Sequence, residues 1–162
     1  MHRIDLHTHS CASDGSLTPS EVMQAAKDAG LTAVALTDHD TIAGVREAMQ
    51  AAEQLNIECI PGIELSAFYK NLEVHIVGLF LNIDDPQLNK RLEDFRQIRE
   101  NRNLRMIQKM QEAGVDITME KLRETEGDAV ITRANIARYL LHIGYIQSIN
   151  EAFDKYLSPG MP

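Results

Sequence analysis

Residues 1–10, MHRIDLHTHS, decide the fold, because a short apolar strand pattern leads directly into two closely spaced histidines. Residues 1–6 predict a first β-strand, and the two-residue period of a strand places Asp5, His7 and His9 on one face. Two imidazoles on one face can bind one divalent cation, and a carboxylate beside them can orient one ring. The stretch therefore predicts a strand that leads into metal ligands, with Asp5 supporting them.

Alternating helix and strand patterns follow this first strand. Thr18 and Pro19 form a good helix start, and Gly30 a good helix end. The patterns predict a helix over 18–30, a strand over 32–36, a helix over 41–56, and strands over 58–63 and 74–81. Such alternation is typical of an α/β fold whose site lies at the carboxyl edge of a parallel sheet. The apolar run 76–81 fits a sheet covered on both faces.

Six candidate metal ligands lie at or near the predicted strand ends. They are His7, His9, Asp14, His39, Glu64 and His75. Neutral imidazoles and carboxylates are the usual protein ligands of zinc, manganese and iron, and this set exceeds the needs of one ion. A lone histidine would be explained more simply as a packed or surface residue. The set predicts a site for several divalent ions.

Several function classes lack their sequence signals. No glycine-rich phosphate turn follows the first strand, which disfavours a Rossmann fold, and neither a P-loop nor a nucleophile elbow is present. Cys11 and Cys59 do not form a CxxC pair, and two cysteines in 162 residues are typical of a reduced chain. No apolar run approaches about 18 residues. These features predict a cytoplasmic protein with no membrane segment.

The second half of the chain has a different character. Helical patterns cover 86–113, 118–126, 132–143 and 150–157. Residues 1–85 contain four Lys and Arg against thirteen Asp and Glu, whereas residues 86–162 contain twelve against eleven. The net charges are therefore −9 and +1, within a total of −8. This acidity argues against tight non-specific binding to a nucleic-acid backbone.

Four arginines in these helices are candidate substrate-binding residues: Arg99, Arg102, Arg133 and Arg138. The long helix carries apolar residues at helical spacing, namely Leu88, Leu92, Phe95, Met106 and Met110. Arg99 and Arg102 interrupt this stripe. They can pair with glutamates on the surface, or they can point into a cleft and bind phosphate oxygens in a bidentate manner. Arg133 lies at a predicted helix N-terminus, which favours anions.

Five ordered motifs resemble the successive signatures of the PHP (polymerase and histidinol phosphatase) family. They are His7-Thr8-His9-Ser10, Ser13-Asp14-Gly15, Thr37-Asp38-His39-Asp40, Pro61-Gly62-Ile63-Glu64 and Glu73-Val74-His75-Ile76-Val77-Gly78. Within the family they are most similar to a small bacterial branch. That branch comprises stand-alone nucleoside 3′,5′-bisphosphate phosphatases and 5′-to-3′ exoribonucleases of the RNase AM type.

The resemblance implies a partial, distorted (β/α)7 TIM-like barrel, with barrel elements in 1–85 and a helical insert or lid in 86–162. It implies a trinuclear site of manganese, zinc or iron. By analogy His7 and His9 bind the first ion, Glu64 bridges the first and second, His75 binds the second, and Asp14 and His39 bind the third. Metal-bound water is the implied nucleophile. Asp5 and Asp38 are expected to orient the metal ligands without binding metal themselves.

The implied function is metal-dependent hydrolysis of phosphate esters in a nucleoside bisphosphate or at the 5′ end of a short RNA. Two alternatives remain open at this point. One is a small-molecule phosphatase of the histidinol phosphate kind, and the other is a metal-binding module with weak or no catalysis. Proofreading within a polymerase is disfavoured, because this chain contains no polymerase-sized region.

The chain stops before two later family signatures, a Leu-Ala-His-Pro and a Gly-Ser-Asp-Phe-His segment, which by analogy supply one further ligand to each ion. A TIM-type barrel needs on the order of 250 residues. We therefore expect the C-terminal part of the barrel to be absent and favour a fragment. Two alternatives remain: another chain completes the barrel, or the protein is a shortened metal binder with weak catalysis. Exposed barrel edges would also allow self-association.

Overall fold

A four-stranded mixed sheet carries the first part of the chain. The computed structural model describes residues 3–70, 72–127 and 129–157, so residues 1 and 2 of the predicted first strand, including His2, and the C-terminal residues 158–162 lie outside the described ranges. The strands are β1 (Ile4–Thr8), β2 (Ala33–Leu36), β3 (Glu58–Tyr69) and β4 (Leu72–Leu79), in the order β1-β2-β3-β4. β1, β2 and β3 are parallel, and β4 is antiparallel to β3.

Two helices connect the parallel strands. α1 (Pro19–Asp28) begins at Thr18, whose side chain caps the helix in a capping box with Glu21. α2 (Val45–Leu55) begins four residues later than predicted. The Thr41 hydroxyl accepts a hydrogen bond from the Ala43 amide and stabilises a turn before the helix. Apolar residues of both helices pack against β2, whose four residues are all buried.

The predictions for the last two strands were partly wrong. β3 does not end at Ile63; it continues to Tyr69, so Glu64 lies inside a long strand. The parallel partner β2 ends at Leu36, and β3 then pairs with β4 as a hairpin. The sheet is therefore not all parallel, and β4 is not covered on both faces, because Ile76 is 54% exposed. An apolar run alone does not distinguish a buried parallel strand from a hairpin strand.

The second part of the chain is helical, as predicted. Its helices are α3 (Pro86–Glu112), α4 (Met119–Glu126), α5 (Arg133–His142) and α6 (Ile149–Ala152). The predicted helix over 150–157 is divided, since a π-helical turn (Phe153–Leu157) follows α6. These helices form an apolar cluster of their own, which includes Ile107, Leu122, Ile136 and Leu140. None of the helices within the described ranges is both long and apolar enough to cross a membrane.

The buried face of α3 differs from the predicted stripe. Phe95 is 41% exposed, whereas Arg99 and Asn103 are buried between Leu92 and Ile107. A helix that buries an arginine needs a partner for its charge, because an unpaired buried charge is costly. The partner of Arg99 must therefore lie on the surface against which α3 packs.

Gly62 provides a test of how tightly β3 packs at the change of partner. A Cβ atom at Gly62 would lie 2.7 Å from Thr37 Cγ2, 3.0 Å from the Leu36 carbonyl oxygen and 3.1 Å from the Gly78 carbonyl oxygen. Because two of these atoms belong to the backbone, Gly62→Ala should lower the free energy of unfolding by about 1–3 kcal/mol. A Cβ at Gly78 has ordinary contacts from 3.5 Å, so Gly78→Ala is the matched control, expected within about 0.5 kcal/mol of wild type. Urea denaturation measures both, and equal losses would contradict this packing.

The two thiols should differ in reactivity. Burial raises the pKa of the Cys59 thiol to about 11, against a backbone hydrogen bond involving Leu36, whereas Cys11 is exposed. At pH 8 only about one Cys59 in a thousand would be the reactive thiolate. We expect a thiol reagent to label one cysteine quickly in the folded chain and both after denaturation, with Cys59 reacting faster as the pH approaches 11. Cys11→Ser should abolish the fast phase; its persistence would refute the assignment.

Candidate metal centre

The turn after β1 presents two of the candidate ligands, and Asp38 holds it in place. The Asp38 side chain is fully buried and accepts hydrogen bonds from the Ser10 amide (2.7 Å), the Ser10 hydroxyl (2.6 Å) and the Ser13 hydroxyl (2.6 Å). A buried carboxylate with these partners stabilises the turn strongly. Asp38 therefore contacts the backbone and hydroxyls of the turn rather than an imidazole. It positions His9 and Asp14 through the turn.

Asp5 has a more local contact than the one predicted. Its carboxylate accepts a hydrogen bond from the main-chain amide of His7 at 3.2 Å, and its residue is exposed. Among the described contacts it reaches no imidazole ring.

Gly15 completes the turn, since a Cβ there would lie 2.5 Å from the His9 carbonyl oxygen. The turn thus requires glycine at this position.

The carboxylate of Glu64 lies at the centre of the candidate site. One oxygen, Oε2, is 2.9 Å from His7 Nε2 and 3.0 Å from His9 Nε2. The other oxygen, Oε1, is 2.9 Å from His75 Nδ1. Because its two oxygens face different histidines, Glu64 has the arrangement expected of a bridging ligand.

Asp14 forms the second carboxylate position. Its Oδ1 is 3.3 Å from His9 Nδ1, and its Oδ2 is 3.4 Å from His39 Nε2. The structure therefore brings all six predicted ligands together, in three groups whose ligand atoms lie within 4.8 Å of one another. The groups are His7 with His9 and Glu64, His9 with Asp14 and His39, and His39 with Glu64 and His75.

One buried nitrogen indicates that these residues fit a cation. Within the described ranges His39 Nδ1 is buried without a hydrogen-bond partner, although Glu64 Oε2 lies 3.6 Å away. A buried polar atom without a partner is costly, and a cation between an imidazole lone pair and a carboxylate would satisfy both. The donor set of imidazole nitrogens and carboxylate oxygens suits zinc, manganese and iron. The residues present therefore fit divalent metal ions.

Both carboxylates are held in the ionised form. Burial alone would raise the pKa of Glu64, but the hydrogen bond with His7 and the neighbouring imidazoles outweigh it, and the pKa lies below its usual range. The pKa of Asp14 is likewise lowered, because the hydrogen bond with His9 and nearby positive charges outweigh burial. The site therefore keeps its negative ligands at neutral pH.

The pKa values of the two most enclosed histidines, His39 and His9, shift in opposite directions. Burial lowers the pKa of His39, against the opposing charges of Asp14 and Glu64, and favours the neutral ring that binds metal. Burial also acts to lower the pKa of His9, but the hydrogen bond and charge of Asp14 reverse the shift and raise it. Protons therefore compete with a metal ion for His9 more strongly than for His39.

Arg99 connects the long helix α3 to the sheet beside these ligands. Its guanidinium forms a buried ion pair with Asp40, with Nε 2.7 Å from Oδ2, and donates to the Ser66 hydroxyl at 2.5 Å. Asp40 also accepts a hydrogen bond from the Ser66 amide at 2.9 Å. Both charged side chains are less than a tenth exposed. Arg99 thus has a partner in the barrel and is fixed at the edge of the site.

Arg133 and Arg102 meet at another acidic residue, Glu73. Arg133 forms an ion pair with Glu73 and donates to the Leu157 carbonyl at 3.2 Å. Arg102 Nη1 is 3.6 Å from Glu73. Arg99 and Arg133 both line a cleft that also contains His39 and His75. Arg102 does not line this cleft within the described residues.

Arg138 has a different position from the one predicted. It donates to Glu126 at 2.6 Å and to the main-chain carbonyl of Asp14 at 2.8 Å. Asn135, on the same helix, donates to the Ser13 carbonyl at 3.1 Å. These contacts anchor α5 against the ligand turn, so Arg138 faces the protein backbone rather than the cleft.

Sequence reasoning missed Asp40 and Glu73 as partners of the arginines. Both lie inside motifs that were identified for their histidines, His39 and His75. The i, i+2 spacing of Glu73 and His75 on a strand was a usable signal, because it places both side chains on one face. The partners of Arg99 and Arg133 could not be read from spacing, since they lie 59 and 60 residues away in sequence.

Comparison with known families agrees with these features. The sequence profile described as the PHP domain matches residues 5–157. A 5′-3′ exoribonuclease of Haemophilus influenzae is 39% identical over 158 residues, which cover 98% of this chain and 57% of the relative. A 3′,5′-nucleoside bisphosphate phosphatase of Chromobacterium violaceum is 37% identical over 163 residues, which cover 100% of this chain and 57% of the relative. The chain thus spans little more than half the length of these curated relatives.

Two solved structures resemble the chain closely in shape. One is an amidohydrolase from Chromobacterium violaceum, solved with bound sulfate and no metal, with a TM-score of 0.90 and 36% identity over 98% of this chain and 56% of that one. The other is a predicted metal-dependent phosphoesterase from Bifidobacterium adolescentis, with a TM-score of 0.88 and 28% identity. The match covers 97% of this chain and 56% of that one. The described part therefore has the fold of these proteins, as a curled, partial TIM-like barrel with helices.

The positions of the two carboxylates predict unequal losses of metal. Glu64 belongs to two of the three ligand groups, whereas Asp14 belongs to one. Glu64→Gln should therefore reduce bound Mn²⁺ per chain more than Asp14→Asn, as measured by elemental analysis after dialysis at fixed metal concentration. Glu58→Gln, at an exposed position on the same strand, is the control and should retain the wild-type content. Equal losses in the two site variants would contradict a bridging position for Glu64.

Proposed function

This chain belongs to the PHP domain family, and on that basis we propose that it forms the metal-binding part of a metal-dependent phosphoesterase acting on nucleotides. The proposed substrates are a nucleoside 3′,5′-bisphosphate or the 5′ end of a short RNA. The observation that carries the proposal is one cleft, in which the candidate ligands Asp14, His39 and His75 lie beside Arg99 and Arg133. The activities for which the similar exoribonuclease and bisphosphate phosphatase are named support this substrate class.

The proposed cofactors are up to three divalent ions per complete site, chosen among manganese, zinc and iron. His7, His9 and Glu64 would hold the first, Glu64 and His75 the second, and Asp14 with His39 the third. Ions at such positions supply a nucleophilic hydroxide at neutral pH and neutralise phosphate oxygens. The activity of the whole protein is itself part of the proposal, because the chain spans 57% of its curated relatives.

The protein's own residues have three tasks in this proposal. Asp38 holds the turn of Ser10 and Ser13, so that His9 and Asp14 keep their positions. The burial of Glu64 excludes water from the carboxylate that joins the two sides of the cluster.

Arg99 and Arg133 have the remaining task, which is to bind the anionic substrate. Guanidinium forks match the oxygens of a phosphate and orient it. Asp40 and Ser66 fix Arg99 in advance, which reduces the entropy lost on binding. Both arginines line the cleft, where their guanidinium groups would donate hydrogen bonds to phosphate oxygens.

The proposed function is tested with the protein at its natural full length and saturated with Mn²⁺. We expect release of phosphate from adenosine 3′,5′-bisphosphate or of mononucleotides from a 5′-phosphorylated RNA. Release from neither substrate would refute the proposal. Faster hydrolysis of a simple alkyl phosphate would indicate a small-molecule phosphatase instead, and tight metal binding without any turnover would indicate a binding module.

The arginines of the cleft should separate substrate binding from metal binding. Arg133→Ala should raise KM about 10-fold or more, because a charge-assisted hydrogen bond contributes about 1.5–3 kcal/mol. The metal content should not change. Arg99→Ala is less suited, since it leaves the buried Asp40 without its ion-pair partner and should destabilise the fold, whereas Glu73 keeps Arg102 Nη1 at 3.6 Å when Arg133 is removed. Arg91→Ala, at an exposed position of α3, is the control for steady-state kinetics. Loss of metal in Arg133→Ala would mean that this arginine is structural.

A further inference from the structure

Glu73 occupies a position that neither the ligand set nor the arginine set explains. It lies on β4 two residues before His75, so both side chains are on the same face of the strand. Its side chain is only 9% exposed, which is unusual for a carboxylate in a hairpin. A buried carboxylate of this kind needs positively charged or donor groups around it.

The first contact of Glu73 is with a candidate metal ligand. His75 Nδ1 faces Glu64 Oε1 at 2.9 Å, which leaves Nε2 as the other ring nitrogen. Glu73 Oε1 is 3.5 Å from Nε2. Histidines that bind a metal through one nitrogen usually donate the other N–H to a carboxylate or carbonyl, which fixes the ring and its tautomer.

The second contact of Glu73 is with the arginines of the cleft. Its Oε2 forms the ion pair with Arg133, while Oε1 is 3.6 Å from Arg102. Burial and the positive charges of Arg99 and Arg133 lower the pKa of the Arg102 guanidinium to about 10. The Nε atom of Arg102 is also buried and has no hydrogen-bond partner among the residues that the structure describes. Glu73 is thus the carboxylate that lets Arg102 and Arg133 lie close together.

We propose that Glu73 is a positioning residue that orients His75 for metal binding and Arg133 for anion binding. The second of these roles rests on the proposed function, whereas the first requires only that His75 binds a metal ion. One carboxylate oxygen is assigned to each side, so a single side chain aligns the metal cluster with the substrate-binding arginine. A glutamine at position 73 has one acceptor oxygen and no charge, so it cannot satisfy both partners.

The experiment compares Glu73→Gln and Glu73→Asp with wild type and with the exposed control Glu58→Gln. Calorimetry gives Mn²⁺ affinity and stoichiometry, and steady-state kinetics give kcat and KM. In Zn²⁺-loaded protein, ¹⁵N NMR of the His75 ring identifies the metal-bound nitrogen and the protonated one. We expect Glu73→Gln to weaken Mn²⁺ binding about 10–100-fold at unchanged stoichiometry, as is usual for partners of metal-binding histidines. The His75 N–H signature should be altered and KM raised.

Glu73→Asp retains the charge but is one methylene shorter, so it should restore part of the metal affinity and of KM. The proposal is overturned if Glu73→Gln leaves both the Mn²⁺ affinity and the His75 spectrum at wild-type values. It is also overturned if the variant loses a whole ion while His75 remains bound, because Glu73 would then be a ligand. The metal and NMR measurements need no turnover. Absence of hydrolysis in wild type would therefore refute the proposed function without deciding the role of Glu73.

Discussion

The crowding of four imidazoles around the buried carboxylate of Glu64 is the constraint on which the rest of the structure depends. The ring centroids of neighbouring histidines lie 4.8–5.1 Å apart, and Glu64 is 4% exposed. Such a cluster, placed next to a second carboxylate at Asp14, leaves a buried nitrogen without a partner unless a cation is present. The arrangement is therefore costly as protein alone and favourable as a metal site, as expected where a fold keeps local strain for function.

The sheet supplies this cluster at the point where β3 changes its partner. Up to Pro61 the strand pairs in parallel with β2, and from Gly62 onward it pairs with β4 in a hairpin. The parallel strands bring His7, His9 and His39 to the cluster from one side, while the hairpin brings His75 from the other. The helical part contacts the sheet beside the cluster through two ion pairs, Arg99 with Asp40 and Arg133 with Glu73. Buried pairs of this type add specificity of orientation more reliably than stability.

Much of this could be predicted from local patterns. The capping residues Thr18 and Thr132 mark helix starts that the structure confirms, and the helical character of the second part follows from its periodicity. The six candidate ligands were identifiable because their chemistry is unusual and their motifs are ordered. The direction of β4, the length of β3 and the partners of the arginines could not be predicted, since each depends on contacts between residues far apart in sequence. Arg138 shows the difference: it was a candidate substrate-binding residue, yet it donates to the main-chain carbonyl of Asp14.

The sequence by itself determined the six candidate metal ligands, the helix boundaries set by caps, and the family to which the chain belongs. Only the tertiary structure decided that Glu64 directs its two oxygens to different histidines and that Glu73 lies between His75 and Arg133. The physical reason is the range of the interactions. Caps and periodicity act over a few residues and are written in local sequence, whereas the direction of a buried carboxylate depends on every charge and donor that the fold brings within a few ångströms of it.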